Sequence, residues 1–87
     1  MSNFQKVAET ARAVLLTELR TGLTFARVAL DSAEDEKRYR NRLNARKAYD
    51  TYIKLRNQVA LTADESRTLE SKLAELRASL ALLGESF

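Results

Sequence analysis

The amino-acid sequence predicts an all-α protein that folds as one antiparallel three-helix bundle, and three observations lead to this prediction. The 87 residues contain no proline and only two glycines, so little interrupts helix formation. Apolar residues recur at intervals of three and four along three segments, the spacing that places them on one side of a helix. Capping residues separate these segments. The length fits a single domain, residues 1–87, with helices at about 2–33, 36–59 and 62–83.

The first helix is predicted to begin at Ser2, whose hydroxyl forms a capping box with the side chain of Gln5. Most residues of its apolar stripe are small, which lets a neighbouring helix approach closely. Gly22 is therefore interpreted as a point of close helix contact rather than as a helix break. The stripe consists of Phe4, Ala8, Ala11, Leu15, Leu19, Gly22, Ala26, Ala29 and Ala33.

The chain is expected to reverse near residues 34–36, although neither glycine nor proline marks the turn. Three consecutive acidic side chains there suit the positive N-terminal end of a following helix. The second helix then carries a seam with spacings of four and three in alternation. The seam consists of Asn41, Ala45, Ala48, Tyr52, Leu55 and Val59.

The third helix has the clearest predicted start and end. Thr62 is placed to cap it, with Glu65 closing the capping box from the third helical position. Gly84 follows the last leucine and is expected to end the helix in a left-handed conformation. Helices this polar are marginal alone, so we expect the three stripes to bury one another. The third stripe consists of Ser66, Leu69, Leu73, Leu76, Leu80 and Leu83.

Residues 23–29 and 44–55 alternate small and large side chains in a way that resembles the helix pairs of tetratricopeptide repeats. With the third helix, residues 19–84 resemble the microtubule-interacting-and-trafficking (MIT) domain, or uncharacterised bacterial helical proteins with a similar Ala-x-x-Ala-Tyr segment. The chain lacks the closing proline of a tetratricopeptide repeat and holds one copy where at least three are usually needed. The MIT-like resemblance implies a domain that binds peptides or helices in a groove between two helices, without catalysis.

The composition excludes most enzyme chemistry. Without histidine or cysteine there is no imidazole base, no thiolate nucleophile and no ordinary zinc site. We therefore predict no enzyme activity, no cofactor and no metal, and we interpret the acidic residues as helix caps and surface ion pairs. No segment approaches the roughly 20 apolar residues that span a membrane, and the N-terminal residues lack a secretory pattern. The expected location is the cytoplasm, without a membrane partner.

One candidate interface lies on helix one, where Leu16, Leu23 and Leu30 recur every seven residues on one flank. Packed neighbours within the bundle account for these leucines in one interpretation. In the other, they stay outside the monomer and form a homodimer or a groove for a partner helix. The two interpretations are left open here, with these three leucines as the predicted interface.

The other candidate is a basic patch on helix two, which is made up of Arg38, Arg42, Arg46, Tyr49 and Arg56. Arginine interleaved with tyrosine can stack on bases or bind phosphates and acidic peptides. The interpretation we favour has these arginines pair with Glu65, Glu70 or Glu75 of helix three, because a net charge of +3 is small for a nucleic-acid-binding protein.

Together these features predict a small non-enzymatic module for protein interaction or self-association. Its expected partner is a protein or peptide helix, or a second copy in a homodimer. The alternative function is binding of nucleic acid or an acidic surface through the basic second helix, with nucleic acid the less expected partner.

Overall fold

A computed structural model of the chain describes the backbone of residues 3–87 and the side chains of residues 9–87. It contains three helices, α1 (Asn3–Asp31), α2 (Asp35–Arg56) and α3 (Ala63–Leu82). They pack side by side into a bundle of 49 × 20 × 18 Å. The predicted all-α three-helix fold is confirmed. The predicted capping box of Ser2 and Gln5 lies outside the described residues.

Ion pairs between the helices show how the chain runs. Arg56 at the end of α2 pairs with Glu70 near the start of α3, whereas Arg42 near the start of α2 pairs with Glu85, just beyond the end of α3. These two helices are therefore antiparallel. Arg12 of α1 pairs with Glu65 at the start of α3, so α1 and α3 run in the same direction and α2 runs against both.

Small residues bring α1 and α2 close together. A Cβ atom added at Gly22 lies 3.3 Å from the Cβ of Ala48 and 2.7 Å from Cδ2 of Leu76. The interpretation of Gly22 as a close-contact position is confirmed. Helices α2 and α3 approach each other least, and long tyrosine and arginine side chains occupy the space between them.

The predicted stripes form most of the buried core. All five leucines of the third stripe are buried, and full burial of one leucine side chain stabilises the fold by about 1.5–3 kcal/mol. On the second helix, Tyr49 joins the buried residues although the seam did not include it. The buried apolar residues are Leu15, Leu19, Ala26, Ala29, Ala45, Ala48, Tyr49, Tyr52, Leu69, Leu73, Leu76, Leu80 and Leu83.

Both predicted ends of α3 are confirmed. The Glu65 backbone N–H donates to Oγ1 of Thr62 at 3.1 Å, and the Thr62 N–H donates to Oε1 of Glu65 at 2.9 Å. At the other end Gly84 has a φ of 94°. The N–H groups of Gly84 and Glu85 donate to the carbonyls of Ala81 and Leu80, both at 3.0 Å, which is the Schellman arrangement.

The other helix ends differ from the prediction by up to three residues. The chain reverses at residues 32–34, where Oγ of Ser32 accepts from the Glu34 N–H at 3.2 Å. Helix α2 ends at Arg56 rather than Val59, because the Gln58 N–H donates to the Leu55 carbonyl in a tighter i→i+3 turn. Val59 lies in the following connection and still packs against the core.

No helix in the described part of the chain is both long and apolar enough to cross a bilayer.

Candidate functional site

The three leucines of the predicted interface lie on the flank of α1 that faces α3. They share this flank with Arg12, which forms its ion pair with Glu65 of α3 at 3.0 Å. Each leucine is partly buried and packs against the core, and none of the three is an exposed side chain. Leu16, Leu23 and Leu30 are thus neither fully buried within the bundle nor fully exposed for a partner, so the structure does not decide between the two interpretations of the sequence. Their contact with a partner stays a prediction.

A groove of about 390 Å³ opens between α1 and α3, and of the three leucines only Leu16 lines it. We call this surface the α1/α3 groove. Most of its exposed lining is apolar, and the Arg12–Glu65 ion pair adds charge beside the apolar surface. Leu23 lines a separate, smaller depression on α1. The α1/α3 groove is lined by Arg12, Ala13, Leu16, Leu61, Asp64, Glu65, Thr68 and Leu69.

The carboxylate of Glu65 fixes one wall of this groove. The hydrogen bond from the Thr62 N–H lowers the pKa of Glu65 below its ordinary value, and the Thr62 hydroxyl bond and the charge of Arg12 act in the same direction. Glu65 is therefore ionised at neutral pH and holds both the start of α3 and the Arg12 side chain. This wall of the groove is formed before any partner binds.

The predicted basic patch is divided among several intramolecular contacts. Arg56 pairs with Glu70 at 3.4 Å, which is one of the ion pairs predicted between helix two and helix three. Glu65 instead pairs with Arg12, and among the described residues neither Glu75 nor the exposed Arg38 forms an ion pair. Helix α2 does bring together Arg42, Arg46 and Tyr49 on the side that faces α3.

Sequence reasoning missed the partner of these arginines, which is Glu85. Its Oε2 accepts from Nε of Arg42 at 2.6 Å, and its Oε1 accepts from Nη1 of Arg46 at 3.3 Å. The same Nη1 of Arg46 donates to the carbonyl oxygen of Ser86 at 2.6 Å. These partners are 39 to 43 residues apart in the chain, so no local spacing signals the contact.

The ring of Phe87 completes this second cluster. Its centroid lies 4.9 Å from that of Tyr49, with the two ring planes inclined by 60°. The guanidinium carbons of Arg46 and Arg77 lie 4.9 and 4.8 Å from the Phe87 centroid, which is cation–π distance. We call the surface formed by Arg42, Arg46, Tyr49 and Arg77 the α2/α3 groove. Residues 85–87 lie in it.

The described residues contain no group of three or more carboxylates placed to hold a metal ion. Tyr52 is almost completely buried, and burial is the main cause that raises its pKa above the ordinary value, with the nearby charge of Glu70 acting the same way. Tyr52 therefore stays protonated as a core residue.

No protein-family model matches the chain, and no curated protein or solved structure matches it at a significant level. The resemblance to MIT-like and tetratricopeptide-like bundles stays a prediction from the sequence.

Proposed function

We propose that the protein is a non-enzymatic interaction module that receives an apolar helix or peptide segment of a partner protein in the α1/α3 groove. The observation that carries this proposal is the groove itself, an open, largely apolar concavity lined by Leu16. Its volume is within the range of known ligand pockets, roughly 300–1,000 Å³, and is enough for a few apolar side chains. The cytoplasmic location predicted from the sequence belongs to the proposal, and cell fractionation tests it.

Contacts that hold the groove walls together in the unbound chain support binding. The capping box fixes the start of α3, and the Arg12–Glu65 pair joins that start to α1. Walls that are already ordered lower the conformational entropy lost when a partner binds. Leu69, at the base of the groove, belongs to the buried core, so the groove is part of the bundle and not of a loose loop.

Two exposed alanines offer a matched test of this surface. Ala13 lines the α1/α3 groove, whereas Ala78 is exposed on α3 outside it. A photo-crosslinking amino acid placed at either position in the producing cell is expected to capture a discrete protein from position 13 and not from position 78. Equal capture from both positions, or none from position 13, contradicts the proposal.

Sedimentation equilibrium over a concentration series then decides whether the partner is a second copy. Dimerisation that Ala13→Glu abolishes and Ala78→Glu preserves identifies the α1/α3 groove as a homodimer contact. A monomer at all concentrations assigns the captured species to a different protein. Circular dichroism of both variants checks that the helices are retained.

Nucleic-acid binding has less support, because Arg42, Arg46 and Arg56 are paired with carboxylates of the same chain. Fluorescence polarisation of a labelled 20-nucleotide RNA at 50 and 200 mM salt tests this alternative. Binding through several phosphates weakens steeply over that range because counterions are released. We expect no binding that shows this salt dependence.

A further inference from the structure

Residues 85–87 occupy the α2/α3 groove in the manner of a bound peptide. Gly84, with its φ of 94°, ends α3 and redirects the chain. The following residues run back along the bundle, because Phe87 reaches Arg77, which lies before Gly84 in α3. The segment has no regular secondary structure and is held by side chains of two helices.

Two different chemical groups of the segment are recognised. The Glu85 carboxylate is 15% exposed and uses each of its oxygens for a different arginine, Arg42 and Arg46. The Phe87 ring lies against Tyr49 and within cation–π distance of the guanidinium groups of Arg46 and Arg77. The charge-assisted hydrogen bonds and the cation–π contacts match this surface to a carboxylate two residues before an aromatic ring.

The groove keeps its shape by contacts that do not involve the segment. Nε of Arg46 donates to Oδ1 of Asp50 at 3.0 Å, one helical turn away on α2. The guanidinium carbon of Arg46 also lies 5.5 Å from the ring centroid of Tyr49, a contact made without the segment. The segment itself is only partly buried, because Phe87 remains 48% exposed. A formed site with a partly exposed occupant is suited to exchange of that occupant.

We propose that the α2/α3 groove is a docking site for a partner peptide with an acidic residue two positions before an aromatic residue, and that residues 85–87 occupy it in cis as a built-in competitor. The charge complementarity with Glu85 and the ring contacts of Phe87 define the partner's chemistry. The site is separate from the α1/α3 groove, so either one can fail without the other.

The test uses the whole chain with its competitor weakened. The double variant Glu85→Gln/Phe87→Ala vacates the groove, and Phe87→Ala alone provides a second variant that keeps the arginine pairs. Isotope-labelled protein is titrated with acetyl-Gly-Glu-Ser-Phe-amide and, as the matched control, acetyl-Gly-Gln-Ser-Ala-amide. Backbone amide shifts report the site of binding, and circular dichroism confirms that each variant is folded.

We expect saturable shifts at residues 42–49 and at residue 77 of the double variant, with a dissociation constant of about 1 mM or tighter, because a short tethered segment competes at an effective concentration of about that size. The wild-type chain should bind at least about twofold more weakly, since its own segment competes at an effective concentration of about 1 mM. Adding Arg46→Gln to the double variant should weaken binding at least tenfold. This substitution leaves the α1/α3 groove intact, so its effect is distinct from that of Ala13→Glu.

Any one of four results overturns the proposal. The folded double variant shows no saturable shifts up to 10 times that concentration, about 10 mM. Alternatively, the control peptide binds as well as the Glu-Ser-Phe peptide, or Arg46→Gln has no effect. Finally, a wild-type dimer that the double variant cannot form assigns residues 85–87 to the groove of a second copy, which contradicts occupation in cis.

Discussion

The substitution Gly22→Ala tests the packing of all three helices at one point. An alanine in place of glycine inside an exposed helix normally stabilises it by about 0.5–1 kcal/mol. Here the added Cβ lies 2.7 Å from Cδ2 and 3.3 Å from Cδ1 of Leu76, and 3.3 Å from the Cβ of Ala48. Rotation of the Leu76 side chain that exchanges its two methyl groups does not remove the clash, because both methyl groups lie close to the added Cβ. Leu76 is also fully buried, so it has no open space to move into.

The clash is expected to outweigh the gain in helix propensity. Overpacking a filled core by a methyl group typically costs about 1–3 kcal/mol. Taken at the middle of both ranges, the overpacking cost less the propensity gain leaves a net loss of unfolding free energy of about 1 kcal/mol. With a urea dependence of about 1 kcal/mol per molar for a small protein, the unfolding midpoint should fall by about 1 M.

Urea unfolding followed by circular dichroism measures this loss. The substitution Leu76→Val withdraws both Cδ methyl groups, so Gly22→Ala should become neutral or stabilising in that background, and the difference between backgrounds isolates the contact. A Gly22→Ala protein that is more stable than the wild type by the ordinary propensity gain would refute the close contact of α1, α2 and α3.

Four further perturbations test the ends of α3 and the core. Thr62→Ala should cost about 1 kcal/mol of stability through loss of the cap. Since the folded state lowers the pKa of Glu65, the stability from its carboxylate is present above the ordinary value of 4.5 and is lost as the pH falls below it, a pH dependence that Glu65→Gln should reduce. Gly84→Ala should lose about 1–2 kcal/mol because φ is 94°, and Gly84→Asn should lose less; calorimetry of both variants tests this. Because burial raises the pKa of Tyr52, the stability linked to its protonated form is lost as the pH rises above the ordinary value of 10.0, and absorbance titration should show one late-titrating tyrosine that is missing from Tyr52→Phe.

Much of the fold could be predicted because its signals are local. The spacing of Leu69, Leu73, Leu76 and Leu80 defines one face of a helix without knowledge of its partner. The capping box and Gly84 are likewise sequences of a few residues with known geometry. The end of α2 was harder to predict from the sequence, because an i→i+3 turn at Gln58 needs no glycine or proline to mark it.

The α2/α3 groove was only partly predictable for the opposite reason. Helical spacing places Arg42, Arg46 and Tyr49 on adjoining faces, but their ligands come from a segment 39 to 43 residues later. Which carboxylate pairs with each arginine depends on the distance between α2 and α3 and on the direction of the chain after Gly84. Those quantities follow from the packed bundle and not from spacing in the sequence.

Small-angle X-ray scattering at several concentrations tests the three-helix bundle most directly, because the common core and the α1/α3 groove exist only if the chain reverses at residues 32–34. The predicted particle is compact, with a Cα radius of gyration of 14.3 Å and a longest dimension of 49 Å. One unbroken helix through α1 and α2 is about 80 Å long. A longest dimension near that length in a monomeric sample contradicts the fold and the α1/α3 groove with it.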